Sequence, residues 1–303
     1  MTISLPECFW DVGAELGEGP MWHARTQTLY FVDIKKRRIY SSTADGARRK
    51  SWSAPQQPAF IVPSADFPGG DEFICALEDG LYRFSIKDGE FNLMRHVEKE
   101  IPSNRFNDGL VDRDGSLWFG SMDDGETRPS GALYHLNSQG RVQIADSDYV
   151  ITNGPAQSPD GTILYHTDTL KKTIYAFDVV RDVVSGVKLT NRRVFATISG
   201  AGFPDGMAVD SVGCVWIALF GGSRIERYAA SGELMSVVPF PCSNITKLAF
   251  GGDDLCTVFV TTARKGLLPK QLADQPTAGA LFTFRVTEPG LPQYEFLAEA
   301  PSE

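Results

Sequence analysis

Apolar and polar residues alternate with a period of two through most of this chain, and no long stretch carries the three-to-four-residue spacing of an amphipathic helix. The alternating runs are short and end in turn-forming pairs such as Asp45-Gly46, Asp88-Gly89 and Ser231-Gly232. One phrase recurs: a polar residue, Gly, a short strand, a turn, and a second strand ending in a polar residue. It begins at Glu18 (EGPMWHARTQTLYFVDI), Asp108 (DGLVDRDGSLWFGSM), Asn153 (NGPAQSPDGTILYHTD) and Asp205 (DGMAVDSVGCVWIALF). Two weaker copies begin near Ala59 (AFIVPSADFPGGDEFICAL) and at Lys247 (KLAFGGDDLCTVFVTTA), so the steps are roughly 41, 49, 45, 52 and 42 residues.

A period in the forties built from short strands is the signature of a β-propeller. Each copy is followed by an aromatic-rich alternation (RRIYSS, LYRFSI, ALYHLN, TIYAFD, RIERYA, ALFTFR) and then by a further strand, as in KSWSA or RRVFAT. Six copies of four strands predict an all-β, six-bladed propeller of four-stranded antiparallel blades around a central channel, occupying residues 1–303 as one domain. Two segments compete to supply the strand that closes the last blade: Cys8 to Gly13 at the N-terminus, which is preferred, and Tyr294 to Ala298 at the C-terminus.

The polar residue that opens each phrase acquires meaning from this geometry. Innermost strands crowd the channel, which favours the Gly after it, and Glu18, Asp108, Asn153 and Asp205 share one phase. Any one Asp-Gly or Asn-Gly pair reads as a turn. Four oxygen-bearing groups around one mouth instead read as a site, because carboxylates crowded in a partly dry cavity repel one another until a divalent cation is bound. Lys247 stands in the same phase and is read as solvated; His166, which with Asp168 and Thr262 lies at a second-strand end, is read as packed.

Composition narrows the function classes. A formal net charge of -9 and a pI near 5.1 argue against nucleic acid or an anionic membrane as partner. No apolar run approaches the length of a membrane span, and MTISLPECFWDVG has neither the basic nor the apolar region of a signal peptide, so a cytoplasmic protein is expected, as a monomer or weak homodimer. Five cysteines without C-x-x-C spacing read as reduced thiols, and four histidines without an H-x-x-x-H pair leave any metal site to oxygen ligands. No G-x-S-x-G elbow is present, which argues against a serine hydrolase.

The segments LGEGPMWH (16–23), SNRFNDGLVD (103–112), ITNGP (151–155), FPDGMAVD (203–210) and TTARKGL (261–267) together resemble the SMP-30/gluconolactonase family, also called regucalcin-like, and most closely its bacterial sugar-acid lactonases. The resemblance covers nearly the whole chain. It implies a six-bladed propeller holding one divalent metal through Glu18, Asn153 and Asp205, with Ca²⁺ favoured by the oxygen donors and Zn²⁺, Mn²⁺, Mg²⁺ or Fe²⁺ as alternatives. It implies that Arg105 and Asn107 bind substrate, and that Asp124 or Glu126, in GSMDDGET, takes the place of a pocket Glu that some members carry. The implied activity is metal-dependent hydrolysis of an aldonic acid lactone in carbohydrate metabolism, with a sugar lactone as the small-molecule partner. Asp205 and Asp108 are both candidate bases. The rival readings are a calcium-binding propeller without turnover and an arylesterase-type hydrolase.

Overall fold

In the computed structural model, residues 1–67, 69–182 and 186–297 are described, and among them 24 strands form six four-stranded antiparallel sheets. Each of the first five blades runs from the channel outward in chain order. Blade 1 is β2 (Gly17–His23), β3 (Thr28–Asp33), β4 (Arg38–Thr43) and β5 (Arg49–Ser53), and blade 2 is β6 (Phe60–Pro63), β7 (Glu72–Ala76), β8 (Gly80–Ser85) and β9 (Phe91–His96). Blade 3 is β10 (Asn104–Val111), β11 (Leu117–Asp123), β12 (Gly131–Leu136) and β13 (Val142–Tyr149), and blade 4 is β14 (Thr152–Gln157), β15 (Ile163–Asp168), β16 (Thr173–Asp182) and β17 (Gly186–Thr197). Blade 5 is β18 (Phe203–Val209), β19 (Val215–Phe220), β20 (Arg224–Tyr228) and β21 (Leu234–Pro239). Blade 6 is β22 (Ile245–Gly251), β23 (Thr257–Thr262), β24 (Leu281–Arg285) and, outermost, β1 (Glu7–Trp10). The innermost strands contact their neighbours in a closed circuit. A short helix, α1 (Pro269–Asp274), interrupts the last blade between β23 and β24.

The ring is therefore closed by the N-terminal strand, over a shorter span than the sequence indicates. Glu7, Cys8 and Trp10 register against Thr283, Phe282 and Leu281 of β24. Aromatic burial supplies the reason: Phe9 packs edge-on against Phe259, and Trp10 against Phe31 and Tyr40. The C-terminal competitor goes elsewhere. Phe296 lies parallel to Ser64 beside blade 2, exchanging hydrogen bonds of 2.9 Å with Pro63 O and the Ala65 amide, and Ala298 lies outside the described residues.

Period-2 alternation gives each blade two faces, and among the described residues the apolar ones form six separate clusters, one in each space between adjacent blades. The space between blades 5 and 6 is rich in aromatics, with Trp216, Phe240, Phe250, Phe282 and Phe284. The space between blades 3 and 4 is the thinnest, with Trp118, Leu133 and Leu164 fully buried. There polar groups join the packing, including His135 and His166, both fully enclosed.

An Asp–Trp–Arg tether recurs, within blade 5 and again between blades 3 and 4. In blade 5, Asp210 caps its own hairpin, accepting the Cys214 amide at 2.8 Å, while its other oxygen accepts Trp216 Nε1 at 3.0 Å and Arg227 Nε at 2.9 Å. In blade 3, Asp112 accepts Trp118 Nε1 at 2.8 Å and Arg181 Nη2 at 3.0 Å, the arginine arriving from blade 4.

Asp210 and Arg227 are both buried, so removing the carboxylate strands a guanidinium. Asp210→Ala is expected to cost about 3–5 kcal/mol in urea denaturation, whereas Asp45→Ala, at an exposed turn, leaves the midpoint near wild type. A loss at Asp210 no larger than that at Asp45 would refute the tether.

Candidate functional site at one mouth of the channel

The register of five innermost strands slips at the recurring phrase: between Glu18 and Met21, Phe106 and Gly109, Asn153 and Ala156, Pro204 and Met207, and Ile245 and Lys247. A bulge re-aims side chains at a rim, and here it turns the polar residues toward the channel. The Gly that follows Glu18, Asp108, Asn153 and Asp205 answers to crowding from an adjacent blade. A Cβ on Gly109 would stand 2.5 Å from the Phe60 ring, and one on Gly206 the same distance from the Lys247 side chain. The sixth inner strand, β6, has no slip, and its copy of the phrase carries Ala59 and Phe60 where the others are polar.

A cavity of about 300 Å³ opens at this mouth, lined by Glu18, Arg105, Asn107, Asn153 and Asp205, all buried. A directional chain of hydrogen bonds holds part of this set. Arg105 Nε donates to Asp124 at 2.6 Å, and Arg105 Nη1 to Asn107 Oδ1 at 2.7 Å. Asn107 Nδ2 donates to Asn153 Oδ1 at 2.8 Å and to Thr152 O at 2.7 Å. Asn153 Nδ2 donates to Thr169 Oγ1 at 2.9 Å, and that hydroxyl donates to Pro204 O at 2.9 Å, immediately before Asp205. Three blades are thereby linked around the mouth, and both carboxamides have one fixed orientation.

The carboxylates are in tension. Burial, with repulsion from Asp108, pushes the Glu18 carboxyl up to about 7 although the Gly19 amide donates to it at 2.9 Å. Burial lifts Asp205 well above the carboxylate range, reinforced by Glu18 and Asp108, and its carboxyl is within hydrogen-bonding reach of Glu18. Asp108 is also raised by burial, against the pull of Lys247.

Other expected residues fall in varied places. Asp108 stands in the ring beside the cavity without lining it; its Oδ1 accepts from Lys247 Nζ and the Gly109 amide. Lys247, read from sequence as solvated, is instead buried in this ion pair, because the inner-strand phase that carries the acids carries it inward too. Asp124 lies outside the cavity, clamped by Lys35 and Arg105 at 2.6 Å each, and these two cations overcome its burial and hold its carboxyl down near about 2. Glu126 does line the cavity and pairs with Lys265. Blades 3 and 6 stand opposite in the ring, so this pair reaches across the mouth. His166 is packed edge-on against Tyr149, as read, and burial lowers its ring to about 3. Sequence reasoning missed the cavity residues Thr169, Leu170, Phe203, Phe220 and Lys265. Of these, Phe203, Phe220 and Lys265 lay within segments already singled out, though not as site residues, and Thr169 and Leu170 lay outside them.

Among the described residues, no three His, Cys, Asp or Glu side chains form a ready metal cluster. The donor set is instead two carboxylates and a carboxamide, and its chemistry suits a hard divalent cation. The mutual repulsion of Glu18 and Asp205 is the strain a cation would relieve. Among the described residues no helix is long and apolar enough to cross a membrane.

In chelator, the Glu18 carboxyl holds its proton more tightly folded than unfolded. Its stabilising contribution is thus complete below the ordinary glutamate value of 4.5 and is lost as pH rises toward about 7. The wild type should lose up to about 3 kcal/mol relative to Glu18→Gln across that window, and a divalent cation should restore it. Parallel thermal-melting curves for the two proteins from pH 5 to 7.5 would contradict this.

The family model described as the SMP-30/gluconolactonase/LRE-like region matches residues 16–264. A 6-deoxy-6-sulfogluconolactonase of Pseudomonas putida is 34% identical over 91% of this chain and 92% of its own. An L-arabinolactonase of Azospirillum brasilense is 33% identical over 94% and 93%. The crystal structure of a calcium-binding protein, regucalcin, from Agrobacterium tumefaciens superposes with a TM-score of 0.90 at 26% identity, covering 97% of each chain. With the ring, the bulged inner strands and the motif residues in place, this chain belongs to the SMP-30/gluconolactonase/LRE-like family.

Proposed function

We propose that this protein is a lactonase that hydrolyses a sugar lactone to the open-chain sugar acid, with a divalent cation held by Glu18, Asn153 and Asp205. The observation that carries the reading is the convergence of two buried carboxylates, an oriented carboxamide and an arginine on one cavity. The family's lactonase relatives and its calcium-binding regucalcin point the same way. Oxygen donors favour Ca²⁺ among divalent ions.

A cation bound there supplies Lewis acidity to the lactone carbonyl. The chain's own residues do the rest. Arg105 is held at Nε and Nη1 by Asp124, Asn107 and Phe106 O, and Nη2 makes no hydrogen bond among the described residues. That leaves a fixed cationic donor for the oxyanion. Water adds its oxygen to the carbonyl carbon as Asp205 accepts a proton. Collapse breaks the acyl–oxygen bond of the ring, and the proton passes to the departing ring oxygen. Asp205 is assigned as base over Asp108, whose carboxylate is engaged by Lys247 outside the cavity. Asn107 already spends both amide protons within the protein, so its role is to align Arg105 with Asn153.

The decisive experiment is a pH-indicator assay on a lactone panel, with and without chelator. Chelator-sensitive turnover is expected; cation binding without turnover of any lactone would refute the reading. Asp205→Ala should abolish turnover and weaken cation binding, whereas Asp108→Asn should retain the cation and much of the rate. Arg105→Ala should lower kcat about a hundredfold, the equivalent of about 3 kcal/mol for one oxyanion donor, with cation affinity little changed.

Thr169 supplies a separate check. Thr169→Val removes the acceptor that orients Asn153, so calorimetry should find cation affinity reduced about fivefold, a loss of about 1 kcal/mol for one hydrogen bond. Thr169→Ser should restore it. Equal affinity in all three proteins would show that Asn153 is not a ligand.

A further inference from the structure

The cavity has two unlike sides. Its cationic groups, Arg105 and Lys265, come from blades 3 and 6, and Lys265 is paired with Glu126. On blades 4 and 5, between them, Leu170, Phe203 and Phe220 form an apolar stretch of wall beside Asn153, Thr169 and Asp205. Phe203 is 39% exposed and Leu170 44% exposed, although both line the cavity. Phe203 pairs across the hairpin with Phe220. It lies two residues before Asp205 on β18, and both side chains line the cavity. Outside the cavity Lys172 Nζ braces the ring, 4.8 Å from its centre. Leu170 follows Thr169, whose bonds to Asn153 and Pro204 fix that turn against blade 5. This is a rigid apolar wall beside the candidate base, left partly open to solvent.

Apart from Arg105 Nη2 and the carboxylates of Glu18 and Asp205, the polar side chains of the cavity are engaged within the protein. Asn107 has donated both amide protons, Glu126 is paired with Lys265, and Asp124 is clamped outside the cavity. A polyol pressed against the blade 4–5 wall would bury hydroxyls without partners, which is unfavourable, whereas a hydrocarbon substituent there would leave water at no such penalty.

We propose that Phe203, Leu170 and Phe220 form a subsite for the apolar substituent of the substrate, so that the preferred lactones carry an alkyl or deoxygenated side chain next to the ring oxygen rather than a full set of hydroxyls. This rests on the lactonase reading above. Each CH₂ fully removed from water changes an equilibrium about fourfold, so a short alkyl chain on a half-open wall yields about tenfold.

The test measures kcat/KM of the cation-loaded protein on glucono-δ-lactone, δ-valerolactone and δ-nonalactone, which is δ-valerolactone bearing a butyl group. The expected ratio of δ-nonalactone to δ-valerolactone is at least about tenfold. In Phe203→Ser and Leu170→Ser it should fall toward unity, and in Phe203→Leu it should be retained. Both residues are more than a third exposed, and thermal melting verifies that the variants stay folded. A wild-type ratio near unity, or a ratio unmoved by either serine variant, overturns the subsite while gluconolactone turnover sustains the lactonase reading. Failure to hydrolyse any of the three lactones overturns both.

Discussion

Arg105 is gripped by Asp124 on one side and passes its orientation through Asn107 and Asn153 to Thr169 and Pro204 on the other. Each link donates in the same direction, so no amide in the series can rotate without breaking two bonds. The chain crosses from blade 3 to blade 5, over the interblade space with the fewest fully buried apolar side chains. Thr152 adds to it, its hydroxyl donating to Ser121 O at 2.8 Å across the same boundary. Where the apolar layer is thin, polar bonds hold the blades in register, and they end on the groups that face the cavity.

Charge is arranged around this frame with equal economy. Three carboxylates, Glu18, Asp108 and Asp205, point into the channel, and burial raises all three. Two lysines of blade 6 are set against the acids. Lys247 is committed to Asp108, and Lys265 reaches over the mouth to Glu126 while lowering Asp205 by its charge. Glu18 and Asp205 are left in mutual repulsion with no cationic side chain bonded to either. A pair of acids held this way without a partner is costly to stability. The residual strain is concentrated where a cation would sit.

The fold was legible because its signal is repeated. One Gly-flanked phrase would have been a turn; six at a near-constant spacing define blades, and the phase of Glu18, Asn153 and Asp205 followed from the same count. Lys247 shared that phase, yet its pairing with Asp108 lies 139 residues away in sequence and depends on inward crowding that composition does not encode. Asp124 and Glu126 sit two apart on one loop, and only the three-dimensional path of that loop sends the first to Arg105 and Lys35 and the second to Lys265. Leu170 carried no pattern at all, and Phe203, although it opens the FPDGMAVD motif, carried none that marked it as a cavity residue. Each occupies an element boundary, where alternation no longer says which face is buried.

The C-terminal segment shows why closing the ring and closing the channel are different problems. Ring closure needs a strand with aromatic side chains for the blade 1–6 space, and Phe9 and Trp10 meet that need. Residues 291–294 instead border a second cavity, of about 100 Å³, lined by the inner-strand residues that follow each polar slot, such as Met21, Val111 and Val209. Phe296 then anchors the segment in the blade 2–3 cluster. This lining is mostly apolar, and although Gln157, Ser158, Gln293 and Lys247 belong to it, it holds no carboxylate or histidine. With Lys247 and Asp108 paired between the two cavities, the carboxylates Glu18 and Asp205 address the opposite mouth, and a substrate that reaches Asp205 must come past Phe203 on one side and the Glu126–Lys265 bridge on the other.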